Sequence, residues 1–205
     1  MITTVIFDMG KVLVDYKCDP VIRQKTNDPQ LIDKIIAYLF NSGQWVLLDA
    51  GLISLHDALN AVLTHFNEEE KEIVTFCFNH WNQYNLFAKP DMIQLVHDLH
   101  QQGYRLFVLS NANQLIHEVE RQVIPHYDCF EKVYFSCDYR LLKPQYPLYQ
   151  KVLTDNALEP SQCLFVDDLY DNVCAAKTCG INGVVFDGTS QCVIDALAKL
   201  NAKEG

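Results

Sequence analysis

The sequence predicts an α/β fold in which a doubly wound parallel sheet is interrupted by an inserted all-helical module. Short apolar runs recur along the chain, and helical patterns lie between them. One long stretch near the N-terminus carries helical patterns only. Alternating strands and helices are typical of a sheet with helices on both faces, whereas a purely helical stretch is typical of a separate layer. We therefore expect a core domain of residues 1–15 and 89–205 and a helical cap of residues 16–88.

Five apolar runs predict the strands of the core. The runs are continuous rather than alternating in polarity, as expected for parallel strands that are covered on both faces. They span residues 5–7, 106–109, 164–166 and 184–186, with a weaker run at residues 133–135. We expect all five to belong to one sheet.

Apolar residues at helical spacing predict the helices of the core. Between Pro90 and Gly103 they lie at positions i, i+3, i+4 and i+7, namely Met92, Leu95, Val96 and Leu99. Similar stripes within residues 149–153 and 193–200 predict a helix after Pro144 and another near the C-terminus. His97 and His100 lie one turn apart, which is more typical of a polar helix face than of a zinc site.

The predicted cap, residues 16–88, contains no clear strand. Ser54 followed by Asp57 predicts one helix start, and Asn67 followed by Glu70 predicts another. Each start precedes an apolar face, at residues 55–66 and 74–81. The aromatic residues on these faces are expected to form mostly the core of the cap.

Composition and charge exclude several classes of function. The net charge of −10 argues against nucleic acid or an anionic membrane as a partner. No apolar run is long enough to cross a bilayer, and the N-terminus lacks the pattern of a signal peptide. The eight scattered cysteines are expected to be reduced thiols. We therefore expect a cytoplasmic protein, a monomer or homodimer, whose site draws any positive charge that it needs from a metal, a lysine or helix N-termini.

Polar residues follow four of the predicted strands, where sites form in open α/β sheets. They are Asp8 after the first strand, Ser110 and Asn111 after the second, Lys143 after the weak run, and Asp167 and Asp168 after the fourth. Taken singly, each has an ordinary explanation as a helix cap, a turn residue or a solvated lysine. Adjacent carboxylates at a buried strand end repel each other unless a cation or hydrogen bonds hold them. The four groups together therefore favour a catalytic site.

These segments resemble the four motifs of the haloacid dehalogenase superfamily, in the subclass with a helical cap after the first strand. They read VIFDMG, VLSNAN, LLKP and FVDDLYDN, and they occur in the family's order over nearly the whole chain. The resemblance implies a Rossmann-like core. Within the cap, SGQWVLLDAGLIS resembles a segment of the glucose-1-phosphatase-like and epoxide-hydrolase phosphatase-domain branch, which makes Trp45 and Asp49 candidates for the substrate pocket.

The resemblance implies a Mg²⁺-dependent phosphatase acting on a small, sugar-type phosphate ester, and it implies a role for each motif residue. Asp8 would be the nucleophile and a metal ligand, with Asp168 and the Gly10 carbonyl as further ligands. The phosphoryl group would be bound by Ser110, Asn111 and Lys143. Of these, Ser110 and Lys143 would also be catalytic residues. Asp167 and Asn172 would steady the ligands and water around the metal. Phosphoryl transfer is mainly positioning and charge neutralisation, so this set is chemically coherent.

One position departs from the family pattern. Family phosphatases usually carry a second aspartate two residues after the nucleophile, which protonates the leaving oxygen, and here that residue is Gly10. Such acid–base help is typically worth about 10²–10⁴ in rate. Asp15 could substitute, although its position before the cap favours a turn or hinge. Two alternatives stay open: a binding or regulatory protein that lost the acid, and a metal-independent dehalogenase using Asp8, against which the aspartate pair argues.

Overall fold

A computed structural model of the chain describes residues 1–202, and the last three residues of the predicted core domain lie outside the described part. Five strands form one sheet, namely β1 (Thr4–Phe7), β4 (Arg105–Ser110), β5 (Lys132–Phe135), β6 (Cys163–Asp167) and β7 (Asn182–Val185). Their order in the sheet is β5-β4-β1-β6-β7, and every neighbouring pair is parallel. All five predicted strands are confirmed, although Phe186 lies one residue beyond the last strand.

Helices cover both faces of this sheet. They are α6 (Pro90–Gln101), α7 (Glu120–Val123), α8 (Tyr146–Asp155), α9 (Tyr170–Thr178) and α10 (Ser190–Asn201). Successive residues of β1 enter different cores: Ile6 packs in a cluster with residues of α8 and α9, whereas Val5 and Phe7 pack with residues of α6 and α10. The predicted doubly wound α/β fold is therefore confirmed. His97 and His100 are exposed on α6.

The region between β1 and α6 is mainly helical. Its helices are α1 (Asp19–Ile22), α2 (Pro29–Ile35), which continues as a π-helix (Ile36–Phe40), α3 (Gly43–Asp49), α4 (Leu55–Leu63) and α5 (Glu68–Tyr84). The predicted starts are present: Ser54 Oγ accepts from the Asp57 amide at 3.1 Å, and Asn67 with Glu70 forms a capping box. Buried cap residues belong to the same cluster as Val5 and Phe7, so cap and sheet share one apolar core.

The prediction of no strand within residues 16–88 is wrong at both ends. β2 (Val14–Tyr16) and β3 (Leu86–Ala88) form an antiparallel pair in which Tyr16 lies opposite Leu86. Strands of three residues have too few positions for a periodic signal, and their partners are about 70 residues apart in sequence. Asp15 lies inside β2 rather than in a turn, and Lys89 Nζ is 3.1 Å from its carboxylate.

Short 3₁₀ segments complete the fold, at Gln114–Glu118, Tyr127–Cys129, Ser136–Asp138 and Pro160–Gln162. Within residues 1–202, no helix is both long enough and apolar enough to traverse a lipid bilayer. The Ser136–Asp138 turn follows β5 directly and contacts the C-terminal end of α3, so it links the sheet to the cap.

Candidate active site

Polar side chains gather where the central strands end. β1, β4 and β6 are parallel neighbours, so their carboxyl ends meet at one edge of the sheet. Asp8 directly follows β1, Ser110 is the last residue of β4, and Asp168 directly follows β6. All three line a cavity of about 210 Å³, to which the cap region also contributes residues. Lys143, from the loop between β5 and α8, lines the same cavity.

A buried lysine bridges two carboxylates at the centre of this site. Lys143 Nζ lies 2.7 Å from Asp8 Oδ1 and 2.7 Å from Asp167 Oδ2, and Lys143 is only 5% exposed. Burial alone would lower the pKa of Lys143, but the charges of Asp8 and Asp167 raise it above the ordinary value of lysine. Lys143 is therefore a fixed positive charge at neutral pH, and the alternative of a solvated surface lysine is wrong.

Asp8 has one carboxylate oxygen engaged and one free of protein partners. Oδ1 accepts from the Met9 amide at 2.7 Å in addition to pairing with Lys143. Within residues 1–202, no hydrogen bond or ion pair engages Oδ2. Burial raises the pKa of Asp8 to about 6, the Lys143 charge opposes that rise, and Asp167 adds to it. A buried carboxylate with a free oxygen and a fixed counter-ion is suited to nucleophilic attack.

Asp167 is fully occupied by protein partners. Its Oδ1 accepts from the Leu169 amide at 2.8 Å and from Asn172 Nδ2 at 3.1 Å. Its Oδ2 accepts from Asn172 Nδ2 at 3.0 Å and from Lys143 Nζ at 2.7 Å. A carboxylate offers about four lone-pair sites, and these contacts fill them. Asp167 lies outside the cavity lining and holds the lysine from behind.

Asn111 and Ser110 differ in how they are used. The Asn111 side chain makes a reciprocal pair with the backbone of Lys143, donating to its carbonyl at 3.0 Å and accepting from its amide at 2.8 Å. This pair fixes the loop that carries the lysine. Ser110 is 2% exposed and lines the cavity.

The carboxylates have the spacing and chemistry of a divalent-cation site. Ligand oxygens of Asp8, Asp167 and Asp168 all lie within 4.8 Å of one another. Because Asp167 is already saturated, Asp8 and Asp168 are the two carboxylates with oxygens to offer a metal. Asp168 is half-buried and meets the exposed Lys11 at 3.5 Å. Hard carboxylate and carbonyl oxygens are the ligands that Mg²⁺ prefers, so the donor set fits this ion.

The cap side of the cavity is a wall formed mainly by aromatic residues. Tyr16, Trp45, Trp81 and Leu86 all line it. The ring centroids of Trp45 and Trp81 are 5.3 Å apart, and those of Tyr16 and Trp81 are 6.1 Å apart, both pairs packing edge to face. The helical spacing of the apolar residues favours a place for Trp81 in the core of the cap. Trp81 is indeed 4% exposed, but the structure also places it against the cavity.

Asp49 is the carboxyl group on this wall. It is the last residue of α3 and is half-buried. Burial raises the pKa of Asp49 to about 7, and the neighbouring Asn113 opposes the rise only in part. Asp49 and Trp45, the two pocket candidates from the sequence, therefore both line the cavity.

The structure brings together nearly all of the residues singled out from the sequence. Those that line the cavity are Asp8, Gly10, Trp45, Asp49, Ser110, Asn111, Lys143, Asp168 and Asn172, while Asp167 lies behind Lys143. Sequence reasoning missed Lys11, Tyr16 and Leu86. The position of Lys11 beside the first motif could have drawn attention to it, whereas the other two reach the cavity through the unpredicted strands.

Comparisons with known proteins identify a family and similar folds. A family model described as haloacid dehalogenase-like hydrolase matches residues 27–186. Sesquiterpene phosphatase AstK from Aspergillus oryzae is 26% identical over 191 residues, which cover 92% of each protein. A haloacid dehalogenase-like hydrolase from Porphyromonas gingivalis has a TM-score of 0.73 at 22% identity, covering 98% of both chains. A family enzyme from Bacteroides thetaiotaomicron, in complex with magnesium and inorganic phosphate, has a TM-score of 0.70 at 19% identity, covering 92% of this chain and 96% of that one.

Proposed function

The chain belongs to the haloacid dehalogenase-like hydrolase family, and on this premise we propose that it is a phosphatase that hydrolyses a small phosphate monoester through an aspartyl-phosphate on Asp8. The observation that carries the proposal is the buried Lys143, which lies 2.7 Å from the carboxylates of Asp8 and Asp167. It gives an acidic protein a fixed positive charge beside its nucleophile. Membership in the narrower glucose-1-phosphatase-like branch stays a prediction.

The proposed reaction has two steps. One carboxylate oxygen of Asp8 attacks phosphorus, and the bond from phosphorus to the leaving oxygen breaks with its electron pair on that oxygen. Water then attacks the aspartyl-phosphate and releases inorganic phosphate, which regenerates Asp8. Lys143 offsets the negative charge that accumulates as phosphate approaches a carboxylate, and the Ser110 hydroxyl donates to a phosphoryl oxygen. Because the side chain of Asn111 is occupied by the lysine loop, we assign its phosphate contact to the backbone N–H.

Mg²⁺ is the cofactor in this proposal. The side chains of Asp8 and Asp168 and the backbone carbonyl of Gly10 would hold it, while Asp167 and Asn172 keep their positions around Lys143. The ion would supply Lewis-acid stabilisation to the phosphoryl oxygens. The magnesium and phosphate complex of the Bacteroides thetaiotaomicron enzyme supports this choice by analogy of fold.

The identity of the leaving group is the finer part of the proposal. The branch that the sequence resembles favours a sugar phosphate. The composition of the wall favours a largely apolar group instead, because most of its surface consists of the rings of Trp45 and Trp81 and the methyl groups of Leu86. Its polar groups are the Asp49 carboxyl, the Tyr16 hydroxyl and the Trp81 Nε1–H, and a sugar needs more hydrogen-bonding partners than these. An apolar leaving group is also consistent with the sesquiterpene phosphatase relative, whose name refers to an apolar hydrocarbon group. At about 210 Å³, the cavity is smaller than the roughly 300–1,000 Å³ typical of drug-sized ligands, so the enclosed part of the substrate is small.

The reaction itself is tested by phosphate release from a panel of esters, with and without Mg²⁺. The panel contains p-nitrophenyl phosphate, glucose 1-phosphate, glucose 6-phosphate and a short prenyl monophosphate. We expect turnover that EDTA stops and Mg²⁺ restores, and we expect Asp8→Asn to be inactive because an amide is neither a nucleophile nor an anionic ligand. A quenched reaction of the wild type should contain protein heavier by one phosphoryl group, and Asp8→Asn should not.

The same panel decides between the alternatives. Tight binding of phosphate esters without turnover would favour the binding or regulatory protein, for which the glycine at position 10 is the supporting observation. Metal-independent release of halide from a 2-haloacid, with no phosphatase activity, would favour the dehalogenase. Assignment to the cytoplasm, a monomeric or dimeric state and a purely small-molecule partner are part of the proposal. The eight free cysteines fit a reducing compartment.

A further inference from the structure

Position 10 has room for an acid that the chain does not place there. Gly10 lines the cavity two residues after Asp8, and a Cβ built on it would have no heavy atom within 4 Å. Among the described residues that line the cavity, the carboxyl groups are those of Asp8, Asp168 and Asp49. Asp8 and Asp168 lie together at the strand ends, within reach of one cation. Asp49 is the remaining carboxyl group, and it lines the cavity from the cap.

Two contacts to the sheet domain fix the segment that carries Asp49. The buried hydroxyl of Ser136 donates to the backbone carbonyl of Asp49 and accepts from the amide of Ala112 at 3.0 Å. Ala112 lies two residues after Ser110, so one hydroxyl ties the cap segment to the loop that carries the phosphate-binding serine. The second contact is at Gly51, where φ is +64° and a Cβ would clash with the Cys137 carbonyl oxygen. Only glycine permits this close approach.

We propose that Asp49 is the proton donor for the leaving oxygen, the role for which Gly10 has no side chain; this inference rests on the phosphatase activity proposed above. In the first step, the Asp49 carboxyl group gives its proton to the leaving oxygen as the bond to phosphorus breaks, so that an alcohol departs and Asp49 becomes a carboxylate. In the second step, Asp49 takes one proton from the attacking water, whose hydroxyl remains on phosphorus. Asp8 recovers its electron pair, and Asp49 is protonated again.

The electrostatics of the cavity suit this role. With a pKa raised to about 7 by burial, Asp49 is protonated in an appreciable fraction of molecules at neutral pH. Burial is the main cause of the raised pKa values of Tyr16 and Cys137, and the charge of Asp49 adds to the rise at both groups. The other charged groups that line the cavity lie on the sheet side, namely Asp8, Lys11, Lys143 and Asp168.

Other groups of the cavity are less suited to donate the proton. Lys143 is committed to two carboxylates, and Lys11 is exposed and paired with Asp168. Burial strongly raises the pKa of Tyr16, which makes it a poor acid near neutral pH. Asp15 does not line the cavity and pairs with Lys89. Tyr16 is therefore the main competitor to Asp49.

Leaving-group dependence separates a proton donor from a structural residue. A weakly basic leaving group such as p-nitrophenolate needs little protonation, whereas an alkoxide needs much. Asp49→Asn should lower kcat/KM for benzyl phosphate by about 10²–10⁴ and for p-nitrophenyl phosphate by less than about tenfold. The matched control is Asp33→Asn, which removes an exposed carboxyl group of the cap on α2 and should leave both values unchanged. Wild-type kcat/KM for benzyl phosphate should also fall above about pH 7, a limb that Asp49→Asn should lack.

Restoring the acid at position 10 completes the test. Because a side chain there meets open space, Gly10→Asp in the Asp49→Asn background should recover benzyl phosphate turnover at least tenfold without a matching gain on p-nitrophenyl phosphate. Equal losses on both esters in Asp49→Asn, or selective loss in Tyr16→Phe instead, would overturn the role of Asp49. Neither result would affect the phosphatase proposal, which fails if wild-type protein with Mg²⁺ releases phosphate neither from these two esters nor from the panel above.

Discussion

Replacing Lys143 with methionine tests the electrostatic centre of the site. Methionine keeps much of the apolar stem and removes the ammonium group, so Asp8 and Asp167 lose their shared cation. Asp167 is 0% and Asp8 8% exposed, and neither has another ion-pair partner among residues 1–202. Breaking a buried ion pair on one side costs about 3–5 kcal/mol. At about 2–4 °C per kcal/mol for a domain of this size, Tm should fall by roughly 6–20 °C.

The control is Lys11→Met, which removes a lysine from the same cavity. The Lys11 side chain is 61% exposed and lies 3.5 Å from Asp168. Exposed pairs contribute about 0–1 kcal/mol, so the control should lose less than about 4 °C. Both variants are compared with the wild type by urea and thermal unfolding in EDTA, so that no metal replaces the missing charge.

The stability loss caused by Lys143→Met should also depend on pH in a predictable direction. With Lys143 present, the pKa of Asp8 is already raised to about 6, and without the lysine it should rise further. A carboxyl group with a raised pKa in the folded state holds a proton that the unfolded chain releases, so folding stability falls as pH increases through that range. The stability loss of Lys143→Met should therefore be largest near pH 8 and smaller at pH 5. A loss equal to that of Lys11→Met, or one independent of pH, would refute the assignment of Lys143 as counter-ion.

Three further predictions concern the cap. Gly51→Ala should destabilise the protein by about 1–3 kcal/mol in urea unfolding, because φ is +64° and the new Cβ would meet Cys137; Gly43→Ala, with no atom near the new Cβ, should be close to neutral. The unfolding free energy of Asp49→Asn should increase relative to that of the wild type as pH rises from about 4 to 7, by up to about 4 kcal/mol. The reason is that the pKa of Asp49 is raised, so ionising Asp49 disfavours the folded state of the wild type. A difference in unfolding free energy that does not change with pH would contradict this. Trp45→Ala should raise KM for benzyl phosphate about tenfold, because roughly 1.5 kcal/mol of apolar contact is lost. It should leave competitive inhibition by inorganic phosphate unchanged. Equal weakening of benzyl phosphate binding and phosphate inhibition would mean that Trp45 supports the phosphate site itself.

Much of the fold and most of the candidate site could be predicted from sequence because their signals are local. Each strand of the main sheet is a short apolar run, and Asp8, Ser110 and Asp168 follow or end such runs directly. In a parallel sheet, the ends of neighbouring strands converge without further information. The helix starts at Ser54 and Asn67 could also be predicted, because the N-terminal capping interaction of a helix joins residues three positions apart. The roles proposed for these residues stay predictions.

The tertiary structure decided what depends on contacts between distant segments. Lys143 could have been a surface residue until the fold placed it 2.7 Å from Asp8 and Asp167. The strands that bring Tyr16 and Leu86 to the cavity exist only because they pair with each other. The position of Asp49 in the cavity lining depends on the approach of the cap to the Ser136–Asp138 turn. Sequence patterns report the local energetics of strands, helices and caps, whereas these features are set by packing between residues that are far apart along the chain.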